Sequence, residues 1–180
     1  MLFRSFVEGD LAMSSELFYP LTVAHIIPDT DAAVRVGLAV PPDLRDAFQF
    51  RPGQYLTMRA VIDGAMVSRS YSICVPEDSD VLEVAVKRVA GGVFSNFIND
   101  QLSVGTELEV MSPQGHFCLE PDGCDSGQYL FIAAGSGITP MMSLMQSILR
   151  GEPSSRVTLI YGNQRTATDR KSTRLNSSHQ

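Results

Sequence analysis

Cysteine is scarce in this chain of 180 residues: Cys74, Cys118 and Cys124 are the only three. So few, and an odd number, exclude a disulfide scaffold, and a reducing cytoplasm is the expected compartment. The spacing of Cys118 and Cys124 fits neither a Cys-x-x-Cys zinc pair nor a plant-type iron–sulfur ligand set. Basic residues are outnumbered: 14 Lys+Arg against 20 Asp+Glu leave a net charge of −6. That balance argues against nucleic acid as a partner and against an anionic membrane surface. No apolar run reaches the roughly 18 residues that a membrane-spanning helix needs. The opening stretch carries Glu8 and Asp10 and lacks an apolar h-region, so no signal peptide is expected. No nucleophile elbow and no P-loop pattern occur. His25 and His116 have no partner at ligand or triad spacing and read as structural.

What is present is enough to fold. Apolar residues make up 44% and charged residues 19% of the chain, which suits a packed core. At roughly 150 residues per domain, the length implies one domain, or one and a fragment. Residues 1–19 read as an extension, and Met13 is a candidate start. From residue 21 onward, short strand-like runs alternate with turn residues: 21–27, 34–40, 55–62, 67–75, 82–87 and 107–112. The run over 55–62 ends at Asp63-Gly64. Leu82, Val84 and Val86 alternate with Glu83, Ala85 and Lys87, the period of a half-buried strand. Such spacing with Gly/Pro punctuation predicts an antiparallel β-barrel or sandwich. One helix interrupts it, over 95–102, with Phe94, Phe97, Ile98 and Leu102 at helical spacing. After a Gly/Pro loop at 120–127 the texture changes. Residues 129–134 form a short continuous apolar run, 141–149 are helical and 157–161 are a second buried strand. That is one βαβ unit. Met141, Met142 and Met145 are core packing. Residues 170–180 hold one large apolar residue, Leu175, and read as a disordered tail.

Four motifs carry chemistry, and each has a plainer reading beside it. Arg69-Ser70-Tyr71-Ser72 lies in a strand. A guanidinium binds pyrophosphate bidentately, and Tyr71, two residues on, offers an aromatic plane on the same face. The plainer reading is a surface Arg and a half-buried Tyr. Gly91-Gly92-Val93-Phe94-Ser95 opens a helix, whose free N–H groups and dipole suit a phosphate, with the Ser95 hydroxyl as a further donor. The alternative is a glycine turn with Ser95 as N-cap. Gly135-Ser136-Gly137-Ile138-Thr139-Pro140 joins a strand to a helix in the manner of a dinucleotide loop, with Pro140 where a third glycine is usual. Proline is tolerated in a first helical turn, so the loop can still cradle a pyrophosphate. The alternative is a structural turn. Tyr161-Gly162-Asn163 ends the second strand, where a dinucleotide would lie, and Arg165 follows as a partner for a 2′-phosphate. The alternative is a turn.

The order of these motifs, with Pro113-Gln114-Gly115-His116-Phe117 between them, resembles the ferredoxin–NADP⁺ reductase superfamily over about residues 20–169. Within it the chain is most similar to the oxygenase-reductase branch, of the phenylacetyl-CoA epoxidase kind. Supporting stretches are Phe50-Arg51-Pro52-Gly53-Gln54, residues 69–74, 110–117 and 133–141. The resemblance implies a six-stranded antiparallel FAD-binding β-barrel with one capping helix over 20–120. The first part of an α/β NAD(P)-binding domain would follow over 125–169. It further implies that Arg69 and Ser70 hold the FAD pyrophosphate, that Tyr71 packs on the flavin ring, and that Ser72 lies near the hydride-accepting atom. Tyr71 and Ser72 would thus be catalytic. Val86, Lys87, Gly91, Gly92, Val93, Phe94 and Ser95 would complete the FAD site. Gly135, Ser136, Gly137, Ile138, Thr139 and Pro140 would receive NADPH or NADH, with Tyr161, Gly162, Asn163 and Arg165 at its adenosine end. Gln164 stands where related chains usually have Arg, which leaves the nucleotide preference open. Pro113 to Phe117 would close the barrel.

Electrons would pass to a [2Fe–2S] centre in a full-length relative and on to an oxygenase component or ferredoxin-type acceptor. The similarity stops near Asp169, and the tail reads as a truncation or foreign sequence. A nucleotide domain cut there would leave apolar faces and a sheet edge uncovered, so a barrel that binds FAD, a crippled NADPH site and an inactive truncated chain are expected. Two other readings stay open: a cytochrome-type or flavin reductase of the same superfamily, and a non-catalytic FAD-binding module.

Overall fold

A computed structural model describes residues 18–119 and 126–162. Eight strands and two helices follow in order: β1 (Phe18–Thr30), β2 (Ala33–Ala39), β3 (Tyr55–Ile62), β4 (Ala65–Ser72), β5 (Leu82–Lys87), α1 (Val93–Asp100), β6 (Glu107–Met111), β7 (Gln128–Ala134), α2 (Ile138–Gly151) and β8 (Arg156–Gly162). The first six strands form one antiparallel sheet in the order β4-β3-β6-β1-β2-β5. Its two edges meet where Ile73 bridges Val84 and the Cys74 N–H donates to the Glu83 carbonyl at 2.9 Å. That contact closes the barrel. The 113–117 segment does a different job from the one expected of it. It extends β6 alongside β3, with Tyr55 and Gln114 exchanging backbone bonds at 2.8 and 2.9 Å.

Local chemistry explains these elements. The β3–β4 hairpin turns on Asp63-Gly64, whose φ values are +51° and +78°. Two left-handed residues are what a tight hairpin requires, and Asp-Gly supplies them at low cost. Alternation along β3 sends Leu56 and Met58 inward, where both are fully buried with Leu21, Leu38, Val84 and Val110. Helix α1 covers this core with Phe94 and Ile98, four residues apart and so on one face. Each such side chain contributes roughly 1.5–3 kcal/mol of burial.

Three expectations change. The barrel begins at Phe18, not residue 20, because Phe18 lies under the Arg59 guanidinium at 3.8 Å and Tyr19 packs edge-on against Phe48. β1 runs through Pro28 to Thr30 because its first half pairs with β6 and its second half with β2. β5 is not half-buried: residues 82–86 are all buried. Its outward Glu83 accepts from Arg35 Nη1 at 2.9 Å and bonds His25 Nε2 at 2.8 Å, so the pairing of charges lets a carboxylate leave water. His25 therefore has a partner that its spacing did not reveal. Its ring fills the space over Gly37, where a Cβ would meet it at 2.2 Å.

Two paired carboxyls make the barrel acid-sensitive. The Arg59 fork, donating to both Glu109 oxygens at 2.9 and 3.0 Å, holds that carboxyl below its ordinary range. Arg88 does the same for Asp100, at 2.6 and 2.7 Å. A carboxyl depressed in the folded state adds stability above its unfolded value and loses it as pH falls through the folded one. Urea melts should therefore weaken from about pH 5 downward. The double variant Glu109→Gln, Asp100→Asn should flatten that slope. An unchanged slope would exclude these pairs as its source.

The second unit is a two-stranded parallel sheet, β7 beside β8, with α2 on one face. Phe131, Leu144, Met145 and Ile148 form its core, flanked by Met141, Met142 and Val157. At the far end of α2 the buried Glu152 carboxylate accepts from the Tyr129 hydroxyl at 3.0 Å and from Ser155 Oγ at 2.5 Å. The opposite sheet face shows Leu130, Ile132 and Ile160, each more than half exposed. Contiguous apolar surface of this kind drives association. Replacing all three with Thr should lower the apparent mass of the 180-residue chain in concentration-dependent sedimentation. An unaltered profile would show that this face is not adhesive. Among the described residues, no helix is long and apolar enough to cross a membrane.

Candidate functional site

β4 carries the first four candidates. Its register sets Arg69 opposite Met58 and Tyr71 opposite Leu56, so both point to the inner side at the rim, while Ser70 and Ser72 point the other way. Arg69 is exposed, and its guanidinium donates one bond to the Ser68 carbonyl at 2.6 Å, leaving the rest of its fork to a ligand. The Ser70 hydroxyl bonds Thr57 Oγ1 at 2.9 Å. The Tyr71 ring stacks on Phe94 of α1, centroids 6.1 Å apart and planes at 28°. Burial pushes the Tyr71 phenol above its ordinary range, partly offset by the Arg69 charge. It stays protonated at neutral pH and can donate.

The turn into α1 is built by its glycines. Gly91 has φ +71° with open space where a Cβ would stand, and Gly92 is the N-cap. The Ser95 hydroxyl accepts from the Val89 N–H at 3.2 Å and donates to the Gly92 carbonyl at 3.4 Å. Both bonds shape the turn. The backbone N–H groups of Val93, Phe94 and Ser95 precede the first helical bond, from Asn96 to the Gly92 carbonyl at 3.1 Å. Val86 and Phe94 have fully buried side chains, so only their backbone can meet a ligand. Lys87 is half-buried, opposite Ala33. Arg88 and Asp100 clamp the two ends of this turn and helix together.

The strand–helix loop is a single 3-10 turn, Gly135–Gly137, running into α2. Gly135 has φ +53°, and neither Gly135 nor Gly137 has an atom near the position of a Cβ. Both therefore leave the backbone open to close approach. Ser136 stands exposed in the turn between them. Thr139 is buried, its hydroxyl donating to the Ser136 carbonyl at 2.8 Å, and the Ile138 side chain packs in the core. Pro140 sits in the first turn of α2, where a missing N–H costs no helical bond. The Tyr161 hydroxyl donates to the Gly135 carbonyl at 2.9 Å, so the end of β8 props this loop. Gly162 ends β8, while Asn163 and Arg165 lie outside the described residues.

The stretch 69–75 thus carries an exposed guanidinium and an aromatic ring, with Phe94 of α1 against Tyr71 and Ser143 and Gln146 of α2 on Cys74 and Val75. Residues 22–118 match the family of oxidoreductase FAD-binding domains. The chain belongs to that family. Residues 131–172 match the oxidoreductase NAD-binding domain as well. The chain is 48% identical over 147 residues to the E subunit of the 1,2-phenylacetyl-CoA epoxidase of Escherichia coli, covering 82% of this chain and 41% of that one. It is 39% identical over 146 residues to the ferredoxin reductase component of the Rhodococcus rhodochrous 3-ketosteroid-9-alpha-monooxygenase, covering 80% of this chain and 40% of the other. Phthalate dioxygenase reductase, a modular structure for electron transfer from pyridine nucleotides to [2Fe–2S], superposes with a TM-score of 0.70 at 27% identity. It covers 87% of this chain and 47% of that one. The chain spans about two fifths of the length of these curated relatives. The barrel-then-α/β order and its oxidoreductase character follow from the family.

Two features of this FAD-binding domain escaped the sequence. Phe94 is the plate behind Tyr71. Its helical spacing was legible, but its partner lies in a strand more than twenty residues away. Ser143 and Gln146 bond the chain just beyond Ser72, a contact between the two units that no local pattern announces.

Proposed function

We propose that this chain is the flavin- and nicotinamide-binding part of a reductase. It takes hydride from NADPH or NADH and feeds electrons to an oxygenase component or ferredoxin-type acceptor. One observation carries the reading: residues 69–75 touch both helix-bearing units, Tyr71 against α1 and Cys74–Val75 against α2. A ring held at Tyr71 would lie between the two phosphate-type loops.

The residues fit FAD. Arg69 has donors to spare, Gly91 leaves its backbone open, and the first turn of α1 offers N–H groups to a pyrophosphate. Bound FAD supplies the hydride acceptor and the redox chemistry. The protein orients and excludes water. Tyr71, backed by Phe94, provides the platform, and its protonated phenol and the Ser72 hydroxyl are donors beside it. Gly135, Ser136 and Gly137 receive a nucleotide pyrophosphate at the mouth of α2, and Tyr161 steadies them. No general acid or base is required for hydride transfer. Ring contact and exclusion of water are the levers. The epoxidase and monooxygenase-reductase relatives support an oxygenase as the final partner, with phenylacetyl-CoA epoxidation as one parallel. A [2Fe–2S] centre would belong to a full-length protein, since three cysteines do not furnish its usual thiolate set. We place the chain in the cytoplasm, where free thiols such as Cys74 and Cys118 persist.

The test is a visible absorption spectrum of the FAD-loaded chain before and after anaerobic addition of NADPH and, in a second sample, NADH. A flavin band that bleaches is the expected result. A chain that stays colourless with added FAD, yet folded by circular dichroism, excludes the reading. A band that persists would reduce the chain to a flavin-binding module.

A further inference from the structure

α2 has two chemically different faces. Leu144, Met145 and Ile148 pack on β7 and β8. Ser143, Gln146 and Arg150, at helical spacing on another side, reach back to the barrel. Ser143 Oγ donates to the Val75 carbonyl at 2.6 Å, Gln146 Nε2 to the Cys74 carbonyl at 3.3 Å, and Arg150 Nη1 to Asp78 Oδ1 at 2.5 Å. The exposed Arg150 pair adds little. The other two differ. Ser143 is fully buried and directs its hydroxyl out of its own helix rather than back onto it. The two acceptors on the barrel side, the carbonyls of Cys74 and Val75, lie beyond the β3–β4 ladder. Pairing of β4 with β3 ends at Ser72, and the Cys74 N–H already serves Glu83. The carbonyls of Cys74 and Val75 are strand-end acceptors, and α2 satisfies them.

The consequence is geometric. One residue, Ile73, separates Ser72 from the nearer of these carbonyls, and α2 begins at the Gly135–Gly137 turn. Resting on the function proposed above, we infer that Ser143 and Gln146 are positioning residues: they fix the offset between the nucleotide loop and the Tyr71–Ser72 edge. Hydride transfer tolerates little misplacement, since an error on the order of 1 Å costs up to about 100-fold in rate. The bonds set how the two rings meet without touching either ligand.

The test uses the whole chain with Cys118→Ser and Cys124→Ser as parent, leaving Cys74 as its one thiol. Cys74 is 7% exposed at this joint and reports on it without any ligand. In Ser143→Ala with Gln146→Met, thiol labelling of the cofactor-free chain should quicken by about 10-fold or more, with circular dichroism unchanged. At saturating NADPH the rate of flavin reduction should fall by roughly 10- to 100-fold. FAD affinity and the NADPH concentration for half-maximal rate should move by less than about 3-fold, the split expected when orientation alone is lost. Should the double variant unfold, Ser143→Ala alone carries the same readings. Unchanged labelling would overturn the inference by showing that these bonds do not hold the joint. Faster labelling with an unchanged reduction rate would overturn it by making the contact purely structural. A parent that loads FAD but is reduced by neither NADPH nor NADH would overturn the proposed function itself, and the positioning role with it.

Discussion

Arg69→Ala should weaken FAD binding by about 10- to 100-fold and leave the fold intact. Arg69 is exposed at the rim of the barrel, and its bond in the protein goes to the neighbouring Ser68 carbonyl. Nothing in the core depends on it. A guanidinium on a pyrophosphate is a charge-assisted, bidentate contact, and such bonds carry roughly 1.5–3 kcal/mol. At about 1.4 kcal/mol per decade this gives the stated loss. Arg69→Lys keeps the charge and discards the fork, so it should fall between the two. Fluorescence titration of apoprotein with FAD measures the affinity, and a thermal melt of each variant checks the fold. Equal affinity in Ala and wild type would remove Arg69 from the site.

Phe94→Ala should lose about 3–5 kcal/mol of stability, the usual cost of emptying a fully buried aromatic site. Phe94 is 1% exposed and touches both Tyr71 and Phe97. Helix α1 has eight residues, too short to persist without its tertiary contacts. Loss of Phe94 should therefore free the helix and the Gly91–Gly92 turn together. Phe94→Leu keeps most of the apolar volume and separates the two roles. It should fold nearly as well as wild type yet bind FAD a few-fold more weakly, because an aromatic pair is worth about 0.5–1.5 kcal/mol beyond burial. Urea unfolding and FAD titration on the same preparations distinguish the outcomes. A Leu variant with full FAD affinity would show that Tyr71 needs no plate behind it.

The acid sensitivity assigned to Glu109 and Asp100 belongs to the barrel alone, and each carboxyl is paired with one arginine. It should therefore appear with or without bound FAD, unlike the effect of Arg69, which is read only in FAD affinity.

Most of the elements and the order of the motifs are legible in the chain. Short apolar runs between turn residues marked β3 and β6, Asp63-Gly64 marked the end of β3, and a continuous apolar run marked β7, because each follows from a few adjacent residues. Arg69, Tyr71, Gly91, Gly92 and the Gly135–Gly137 turn stood out as candidates for the same reason: the chemistry of a phosphate loop is local. The pairings between distant residues came from the closed fold alone. β5 reads as half-buried from its alternating Glu83 and Lys87, yet Arg35 of β2 pairs with Glu83 and His25 of β1 hydrogen-bonds it, which lets it sink. Ser95 reads as a donor to a ligand, and the fold gives its hydroxyl Val89 and Gly92 as partners. Tyr71 acquires its plate from α1, and Cys74 and Val75 acquire their donors from α2 about seventy residues away. A polar or aromatic side chain takes whichever partner the closed fold brings within about 3–6 Å, and chain periodicity carries no information on that choice.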